Sequence, residues 1–191
     1  MAIRKIASIG HPILREPARR LSREELLSSP VQALIDDLVD TMRDAAGAGL
    51  AANQIYEPLQ IAAVEVKDNP RYPYKPNYPL TVVVNPVVEP LTTETFDNYE
   101  GCLSVPNLRG QVPRFGHVRV RGWSRRGEDL DFEVKGFAAG VFQHEIDHLF
   151  GKLFVDRVVD TATLATLVEF ERHVLPGYIE RARAIAARWS G

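Results

Sequence analysis

Residues 143–152 read QHEIDHLFGK, with two histidines four positions apart and a glutamate next to the first. Residues at i and i+4 lie on one face of a helix, so His144 and His148 are close enough to bind the same metal ion. Glu145 lies beside that face, where it can reach a water on the metal. Two imidazoles do not complete a metal site, so a third ligand has to come from elsewhere in the chain.

Three patterns offer that third ligand. A metzincin-type site requires a histidine where this chain has Phe154, so that class is excluded. A thermolysin-like site takes a glutamate from a later helix, and Glu169 lies at a suitable distance along the chain. Cys102, in EGCLSVP (100–106), would instead give a Cys-His-His set with a fourth position open for water. Spacing alone leaves Glu169 and Cys102 both open.

Cys102 is the only cysteine of the chain, which excludes an intrachain disulfide. A lone cysteine is commonly a small buried side chain. It could also be a nucleophile with a histidine as its base, but that chemistry has no use for a second histidine at i+4. We therefore rank a metal ligand above a nucleophile.

A further stretch, GAGLAANQ at residues 47–54, could assist a reaction at the carbonyl of an acyl group. Its glycines permit close approach of a backbone, and the Gln54 amide could donate a hydrogen bond to a developing oxyanion. The ordinary alternative is a helix cap followed by a turn, because glycine and alanine are common after a helix.

The composition of 191 residues, with 45% apolar and 25% charged residues, predicts one compact domain over residues 1–191. A net charge of −2 does not favour DNA or an acidic membrane surface as a main partner. The first residues, MAIRKIASIG, contain no apolar signal segment, and no later run is long and uncharged enough to span a bilayer. We therefore expect a cytoplasmic protein without a membrane partner.

The pattern of apolar residues predicts an α+β fold, in which small, mostly antiparallel sheets pack around a central helix that carries the HExxH motif. The expected elements are a helix from Ser29 to about Gly47, strands at 61–66 and 81–88, a surface loop at 68–79, a hairpin at 117–134, the motif helix from about Gly136, and a C-terminal helical tail at 161–190. Pro176-Gly177 should break or kink the tail.

GAGLAANQ, EGCLS and QHEIDH, in this order, resemble the three motifs of the peptide deformylases, metal hydrolases that remove the N-formyl group from nascent bacterial chains. The resemblance continues through HPILREPA, VPNLRGQVPR and GKLFVDR, so that it covers most of residues 3–157. It implies a metal-dependent hydrolase that acts on N-formylmethionyl nascent peptides and releases formate.

The resemblance also implies a role for particular residues. Cys102, His144 and His148 would be the metal ligands, Glu145 the general acid/base, and Gln54 with the backbone N–H of Leu103 the oxyanion donors. The substrate-binding residues would be Ala48, Gly49, Phe137 and Val141. Glu100, Arg109 and Arg114 would surround the ligands, with one of the two arginines ordering Glu100. The implied metal is Fe²⁺, with Zn²⁺, Ni²⁺ or Co²⁺ able to replace it.

This chain departs from the family's motifs at four positions. Asn53 occupies a position that is often proline or another small residue, while Tyr56 and Asn107 occupy positions that are often glycine. Gly140 replaces a bulkier apolar residue one turn before His144, so we expect a wider methionine pocket than usual. None of these departures removes a catalytic atom.

The tail raises a question about partners. YIERARAIAARW (178–189) places Arg181, Arg183 and Arg188 on a helical stretch whose other side is apolar. The ordinary interpretation is a helix packed on the domain with a solvated basic face. The functional hypothesis is a weak contact with ribosomal RNA.

Two other functional classes remain open on the sequence alone. A zinc endopeptidase would use Glu169 as its third ligand. A catalytically idle relative would bind formylated N-termini as a recognition module, but the presence of Gln54, Cys102, Glu145 and both histidines gives no support to a loss of activity.

Overall fold

The computed structural model describes residues 2–69 and 74–189, so residues 70–73 of the expected 68–79 loop lie outside the described part. The helices are α1 (Arg23–Leu27), α2 (Ser29–Asp44), α3 (Gly136–Leu149), α4 (Leu167–Glu169) and α5 (Leu175–Arg188). The strands are β1 (Gly49–Ala51), β2 (Ile61–Val66), β3 (Tyr78–Pro90), β4 (Thr95–Cys102), β5 (Val105–Phe115), β6 (His117–Trp123), β7 (Asp129–Lys135) and β8 (Ala165–Thr166). No helix within the described residues has the length and apolar character needed to cross a bilayer.

The strands form two antiparallel sheets. One has five strands in the order β1-β2-β3-β6-β7, and the other has three in the order β4-β5-β8. The predicted α+β class, with antiparallel sheets and a C-terminal helix, is confirmed. The hairpin expected at 117–134 is β6-β7, in which His117 pairs with Lys135 and Trp123 pairs with Asp129.

Strand β2 contributes side chains to a hydrophobic core on each face of the larger sheet. Side chains alternate across a strand, so Ala62 and Val64 face the opposite way from Ile61 and Ala63. The first pair belongs to the core cluster that includes α3, and the second pair belongs to the cluster that includes α2. A nearly continuous apolar strand is therefore required, which is what IAAVEV provides.

Helix α3 is apolar on most of its surface because strands cover it on several sides. Phe142, Ile146 and Leu149 pack on the larger sheet, and the helix also contacts β4 and β5 of the smaller one. Burying such a side chain contributes about 1.5–3 kcal/mol, so these contacts fix the helix firmly between the sheets. His144, Glu145 and His148 are thereby held at defined positions.

The β4-β5 hairpin was not expected from the sequence. The expected elements include no strand between residues 88 and 117, but β4 runs up to Cys102 and β5 begins at Val105, which pairs with it. Pro106 and Pro113 interrupt the strand pattern in the sequence, and proline normally lowers the expectation of a strand. The hairpin places Cys102 at its tip, next to α3.

The tail at 161–189 is only partly helical. Ala165–Thr166 forms β8, which pairs with Leu108 and Arg109 of β5. The tail changes from a π-helix at Phe170–Val174 to α5 directly before Pro176, which lies in the first turn of α5, where its missing N–H is not needed. Tyr178 and Ala182 then attach α5 to the domain through buried contacts.

Two glycines with positive φ allow a matched test of the connection after α3. Gly151 (φ 71°) would place an added Cβ against the backbone carbonyl of Arg15, whereas at Gly127 (φ 76°) it would make only ordinary van der Waals contacts with Leu26 and Leu27. Gly127→Ala should lose only the left-handed preference, about 1–2 kcal/mol. Gly151→Ala should lose clearly more, because backbone atoms of two segments must also move apart.

The measurement is the midpoint of thermal unfolding for the two variants beside the unaltered protein. Gly127→Ala should lower the midpoint by a few degrees, about 2–4 °C per kcal/mol at this chain length. Equal shifts in both variants would contradict the close packing of Gly151 on Arg15.

Candidate active site

The end of β4 and one face of α3 bring Cys102, His144 and His148 together. Cys102 Sγ lies 3.3 Å from His148 Nε2, which lies 3.2 Å from His144 Nε2. One ligand atom from each residue lies within 4.8 Å of the other two, a group that could hold a metal ion. A thiolate and two imidazoles are suitable donors for a divalent transition metal.

Glu169 is not part of this group. Its carboxylate is exposed at the end of α4, where it pairs with Arg172 at 3.5 Å and His173 at 3.2 Å. Among the described residues, the group that could hold a metal comprises Cys102 and the two histidines. The geometry therefore favours the cysteine over the glutamate and gives no support to the endopeptidase hypothesis.

Glu100 sets the tautomer of His144. Its Oε2 lies 2.8 Å from His144 Nδ1, and an ionised carboxylate can only accept a hydrogen bond. Nδ1 therefore carries the hydrogen, and the lone pair of Nε2 is directed at the metal position. His148 Nδ1 is buried and has no hydrogen-bond partner among the described residues.

Arg114 keeps Glu100 ionised. Its Nε donates to Glu100 Oε1 at 2.7 Å, its Nη2 donates to Oε2 at 3.0 Å, and its Nη1 donates to Asp147 Oδ2 at 2.6 Å. Burial alone would raise the pKa of Glu100, but the charge of Arg114 and hydrogen bonds from His144 and Arg114 hold that pKa well below its usual value. Asp147 also binds Arg157 at 2.6 Å, so it supports the arginine and not an imidazole.

Arg109, the other arginine considered from the sequence, has a different position. It is buried, and its guanidinium lies over Gly101, where a Cβ would overlap it. Its Nη1 donates to the carbonyl of Leu108 at 3.1 Å. Of the two arginines, it is Arg114 that pairs with Glu100.

Gln54 is fixed by three contacts. Its Oε1 accepts a hydrogen bond from the N–H of Ala51 at 2.8 Å, which orients the amide so that Nε2 faces Cys102 Sγ at 3.5 Å and Ser104 Oγ at 3.0 Å. Asn53 Nδ2 donates to the carbonyl of His148 at 2.6 Å. The short helical turn at residues 52–55 is thereby tied both to the cysteine hairpin and to α3.

Glu145 is buried beside the ligand group. Its Oε2 has no hydrogen-bond partner among the described residues, and burial raises its pKa to about 7. Strand β1 passes so close that a Cβ at Gly49 would lie 2.5 Å from Glu145 Oε1. Only glycine at that position leaves room for the carboxylate where it stands.

A cleft opens beside these residues. Ala48, Gly49, Val141 and Gly140 line it together with Cys102, His144, Gln54, Glu145 and Leu103. Phe137 does not line it: the ring is almost fully buried against Phe96 and Tyr74 at centroid distances of 5.5 and 5.8 Å. Phe137 shares a helical face with Val141, but this aromatic cluster holds its ring away from the cleft.

Three residues of the site were not anticipated from the sequence. Lys75 and Asn98 line the cleft, and Ser104 accepts the hydrogen bond from Gln54. Ser104 could have been found, because it lies in the EGCLS motif. Lys75 and Asn98 lie in stretches without a motif, and only the folded arrangement places them beside the cleft.

Comparison with known proteins agrees with this geometry. The family model described as polypeptide deformylase matches residues 3–163. Peptide deformylase 1 of Bordetella pertussis is 45% identical over 158 residues, which cover 83% of this chain and 89% of the relative. Peptide deformylase 1 of Prochlorococcus marinus is 42% identical over 174 residues, which cover 90% and 88%.

Solved structures give the same result. The Met-Ala-Ser bound crystal structure of a class I type b peptide deformylase from Acinetobacter baumannii is 39% identical, with a TM-score of 0.79 over 82% of this chain and 99% of that one. A peptide deformylase from Legionella pneumophila has a TM-score of 0.73 and 32% identity over 95% and 99% of the two chains. This chain therefore belongs to the polypeptide deformylase family.

Proposed function

We propose that this protein hydrolyses the N-formyl group from the formylmethionine of newly made polypeptides and releases formate. The observation that carries the proposal is the meeting of Cys102, His144 and His148 in one group, at a cleft lined by two of them together with Glu145 and Gln54. These are the residue types that hydrolysis of a formamide requires: ligands for a metal, a group that moves a proton, and an oxyanion donor.

The three ligands fit a single divalent metal ion. His144 Nε2 and His148 Nε2 face each other beside the cysteine sulfur, and the hydrogen bond from His144 to Glu100 leaves the nitrogen lone pair available. When bound, the ion would supply Lewis acidity toward the formyl carbonyl and toward a water molecule. We propose Fe²⁺ as the native ion, with Zn²⁺, Ni²⁺ or Co²⁺ able to replace it, as the family resemblance implies.

Glu145 is the proposed general acid/base. Its pKa of about 7 allows the carboxylate to accept the proton of the attacking water and later to return that proton to the leaving nitrogen. The formyl C–N bond then breaks, which gives formate and a free amine. The free Oε2 and the close approach of Gly49 are consistent with a carboxylate held ready at the cleft.

Gln54 and the backbone N–H of Leu103 are the proposed oxyanion donors. Gln54 is held with its oxygen on Ala51, and its amide nitrogen points toward Ser104 and the cysteine sulfur beside the cleft. A donor that is already oriented stabilises the developing charge without reorganisation. Leu103 lines the same cleft at the tip of the β4-β5 hairpin.

Ala48, Gly49 and Val141 are the proposed contacts of the peptide. β1 borders the cleft, and the backbone of Gly49 would pair with an extended substrate as an added strand. The relative from Acinetobacter baumannii was solved with Met-Ala-Ser bound, which supports a peptide of that kind as the ligand here. A wider methionine pocket is proposed at Gly140, as its missing side chain suggested.

Glu100 and Arg114 are proposed as positioning residues, since Glu100 orients His144 and Arg114 holds Glu100 in place. Removing the arginine would leave a buried carboxylate without its counter-charge. The whole arrangement is proposed to be one catalytic domain over residues 1–191, acting in the cytoplasm, where new polypeptides are made.

The first prediction tests the reaction and the ligands together. The unaltered protein, purified without oxygen, should release formate from formyl-Met-Ala-Ser. Glu145→Gln should keep its metal but lose activity by about 10²–10⁴-fold, because it cannot move the proton. Cys102→Ala should lose both metal and activity, whereas Glu169→Ala should retain both.

Formate release and metal content are measured on the same samples, and iron should predominate in the unaltered protein. Full metal occupancy with no formate release would contradict the proposed reaction and favour a recognition module. Metal retained by Cys102→Ala but lost by Glu169→Ala would contradict the ligand assignment.

The second prediction concerns the positioning residues. Arg114→Met keeps the length of the side chain but leaves Glu100 unpaired, which should lower the free energy of unfolding by about 3–5 kcal/mol. The matched control is Arg119→Met, which breaks the exposed pair with Asp131 and should have a much smaller effect. Urea denaturation of both variants measures the free energy of unfolding. Equal losses would contradict the larger contribution expected from the buried pair.

The third prediction concerns weak ribosome contact through α5. Arg183 is exposed, while deletion of the tail would remove the buried Tyr178 and so disturb the fold. Arg183→Glu should therefore reduce co-sedimentation with ribosomes at low salt, because it removes a phosphate contact. Activity on a short formyl peptide should not change.

The control is Arg126→Glu, which makes the same charge change at an exposed arginine in the β6-β7 turn. It should leave co-sedimentation unchanged. The same reduction in both variants would assign the effect to net charge, and no reduction in either would remove the ribosome hypothesis.

A further inference from the structure

The side chain of Asn98 is an unusual feature of the cleft wall. It is 2% exposed, and its Nδ2 donates to Glu100 Oε1 at 3.0 Å. Its Oδ1 is buried and has no hydrogen-bond partner among the described residues. A buried amide normally finds partners for both ends, so an unpaired acceptor beside a ligand cleft needs an explanation.

Chemistry fixes which way this amide points. Glu100 Oε1 already accepts a hydrogen bond from Arg114 Nε at 2.7 Å, so the group of Asn98 that lies 3.0 Å from the same oxygen is its nitrogen. The carbonyl oxygen and the second hydrogen of Nδ2 are then turned away from Glu100. A flip of the amide would place two acceptors against each other, and it is therefore excluded.

Gly140 packs closely against this amide. A Cβ built at Gly140 would lie 3.4 Å from Asn98 Nδ2 and 3.3 Å from Phe96 Cζ, so the amide and the ring stand where a side chain at that position would begin. Gly140, Asn98 and Val141 all line the cleft. The part of the cleft beside Gly140 thus has a polar wall on one side and an aromatic ring behind it.

The polar wall changes which side chains this space favours. A wholly apolar side chain such as methionine would leave the acceptor of Asn98 unpaired. A buried polar group without its partner typically shifts an equilibrium by roughly five- to a hundredfold. Glutamine has the same chain length as methionine and ends in an amide, which can form two complementary hydrogen bonds with another amide.

We propose that this cleft accepts N-formyl peptides whose first side chain ends in an amide, as well as formylmethionyl peptides, and that Asn98 determines this preference. The glutamine NH₂ group donates to Asn98 Oδ1, and the glutamine oxygen accepts from the Nδ2 hydrogen that is not directed at Glu100. The proposal rests on the deformylase function proposed above and specifies the substrate class of that same cleft.

The test compares formyl-Gln-Ala-Ser with formyl-Met-Ala-Ser by kcat/KM for formate release. The ratio of the two values is taken within each variant, so that differences in metal content or in Glu100 orientation cancel. Asn98→Leu keeps the size of the side chain but removes both hydrogen-bonding groups, and it should lower the Gln/Met ratio by about tenfold or more.

The matched control is Phe96→Leu, which alters the apolar wall of the same space without touching the amide. Its Gln/Met ratio should stay within about threefold of the unaltered protein, since no hydrogen bond is lost. An unchanged ratio in Asn98→Leu would overturn the proposal, and so would an equal fall in both variants.

A third peptide, formyl-Glu-Ala-Ser, separates amide recognition from simple attraction of charge. A carboxylate has no hydrogen to donate to Asn98 Oδ1, although Lys75 lines the cleft and would attract it. The amide proposal requires glutamine to be the better substrate. A preference for glutamate would assign selectivity to Lys75 and overturn the role of Asn98.

Binding of the product peptides keeps this inference separate from the function on which it rests. Gln-Ala-Ser and Met-Ala-Ser are titrated calorimetrically into the metal-loaded, unaltered protein. Dissociation constants within about tenfold of each other would support the polar pocket even if formate release failed. Efficient deformylation of the methionine peptide, with glutamine binding more than about 100-fold weaker, would overturn the pocket and leave the proposed function intact.

Discussion

The buried ion pair between Glu100 and Arg114 joins the elements that build the site. Glu100 belongs to β4, Arg114 to β5, and the His144 that Glu100 orients belongs to α3. Taking two charges out of water is unfavourable unless their partners are well placed. The pair is satisfied only when the hairpin and the helix are in their observed relation, so the same contacts that neutralise it also set the imidazole of His144.

Small residues make the close approaches possible. Gly49 lets β1 pass against the carboxylate of Glu145, and Gly101 makes room for the guanidinium of Arg109. In both places a methyl group would occupy the volume of a functional or buried polar side chain. The glycines of the motifs are therefore needed for close packing at the site as well as for their wider range of backbone conformations.

Much of the chemistry could be predicted from the sequence, and some of the geometry could not. The i, i+4 histidines, the amphipathic α2 and the β6-β7 hairpin have local patterns, and all of them are found where expected. The β4-β5 hairpin was missed because its prolines obscure the alternation of a strand. Phe137 was assigned to the substrate pocket by the family resemblance, but an aromatic cluster, invisible in a local pattern, holds its ring elsewhere. Spacing alone left Cys102 and Glu169 both open; the family resemblance favoured Cys102, and the contacts between distant segments agree with it.

The departures from the family's motifs are of three physical kinds. Tyr56 and Asn107 have φ of 68° and 58°, so they occupy left-handed positions at which glycine is relaxed. Tyr56 offsets part of that strain by packing edge-on against His11 at 5.0 Å, and asparagine tolerates the conformation better than most residues.

Asn53, in contrast, adds a contact: it donates a hydrogen bond to the carbonyl of His148 and so supports a ligand's own backbone. Backbone strain at Tyr56 and Asn107 leaves the polarity of the cleft unaltered. Gly140 does change the cleft, because the side chain that it lacks would stand beside Asn98. A departure from the motifs therefore changes the cleft only when it adds or removes atoms of the cleft wall. The contacts in the folded protein are needed to see which departures do this.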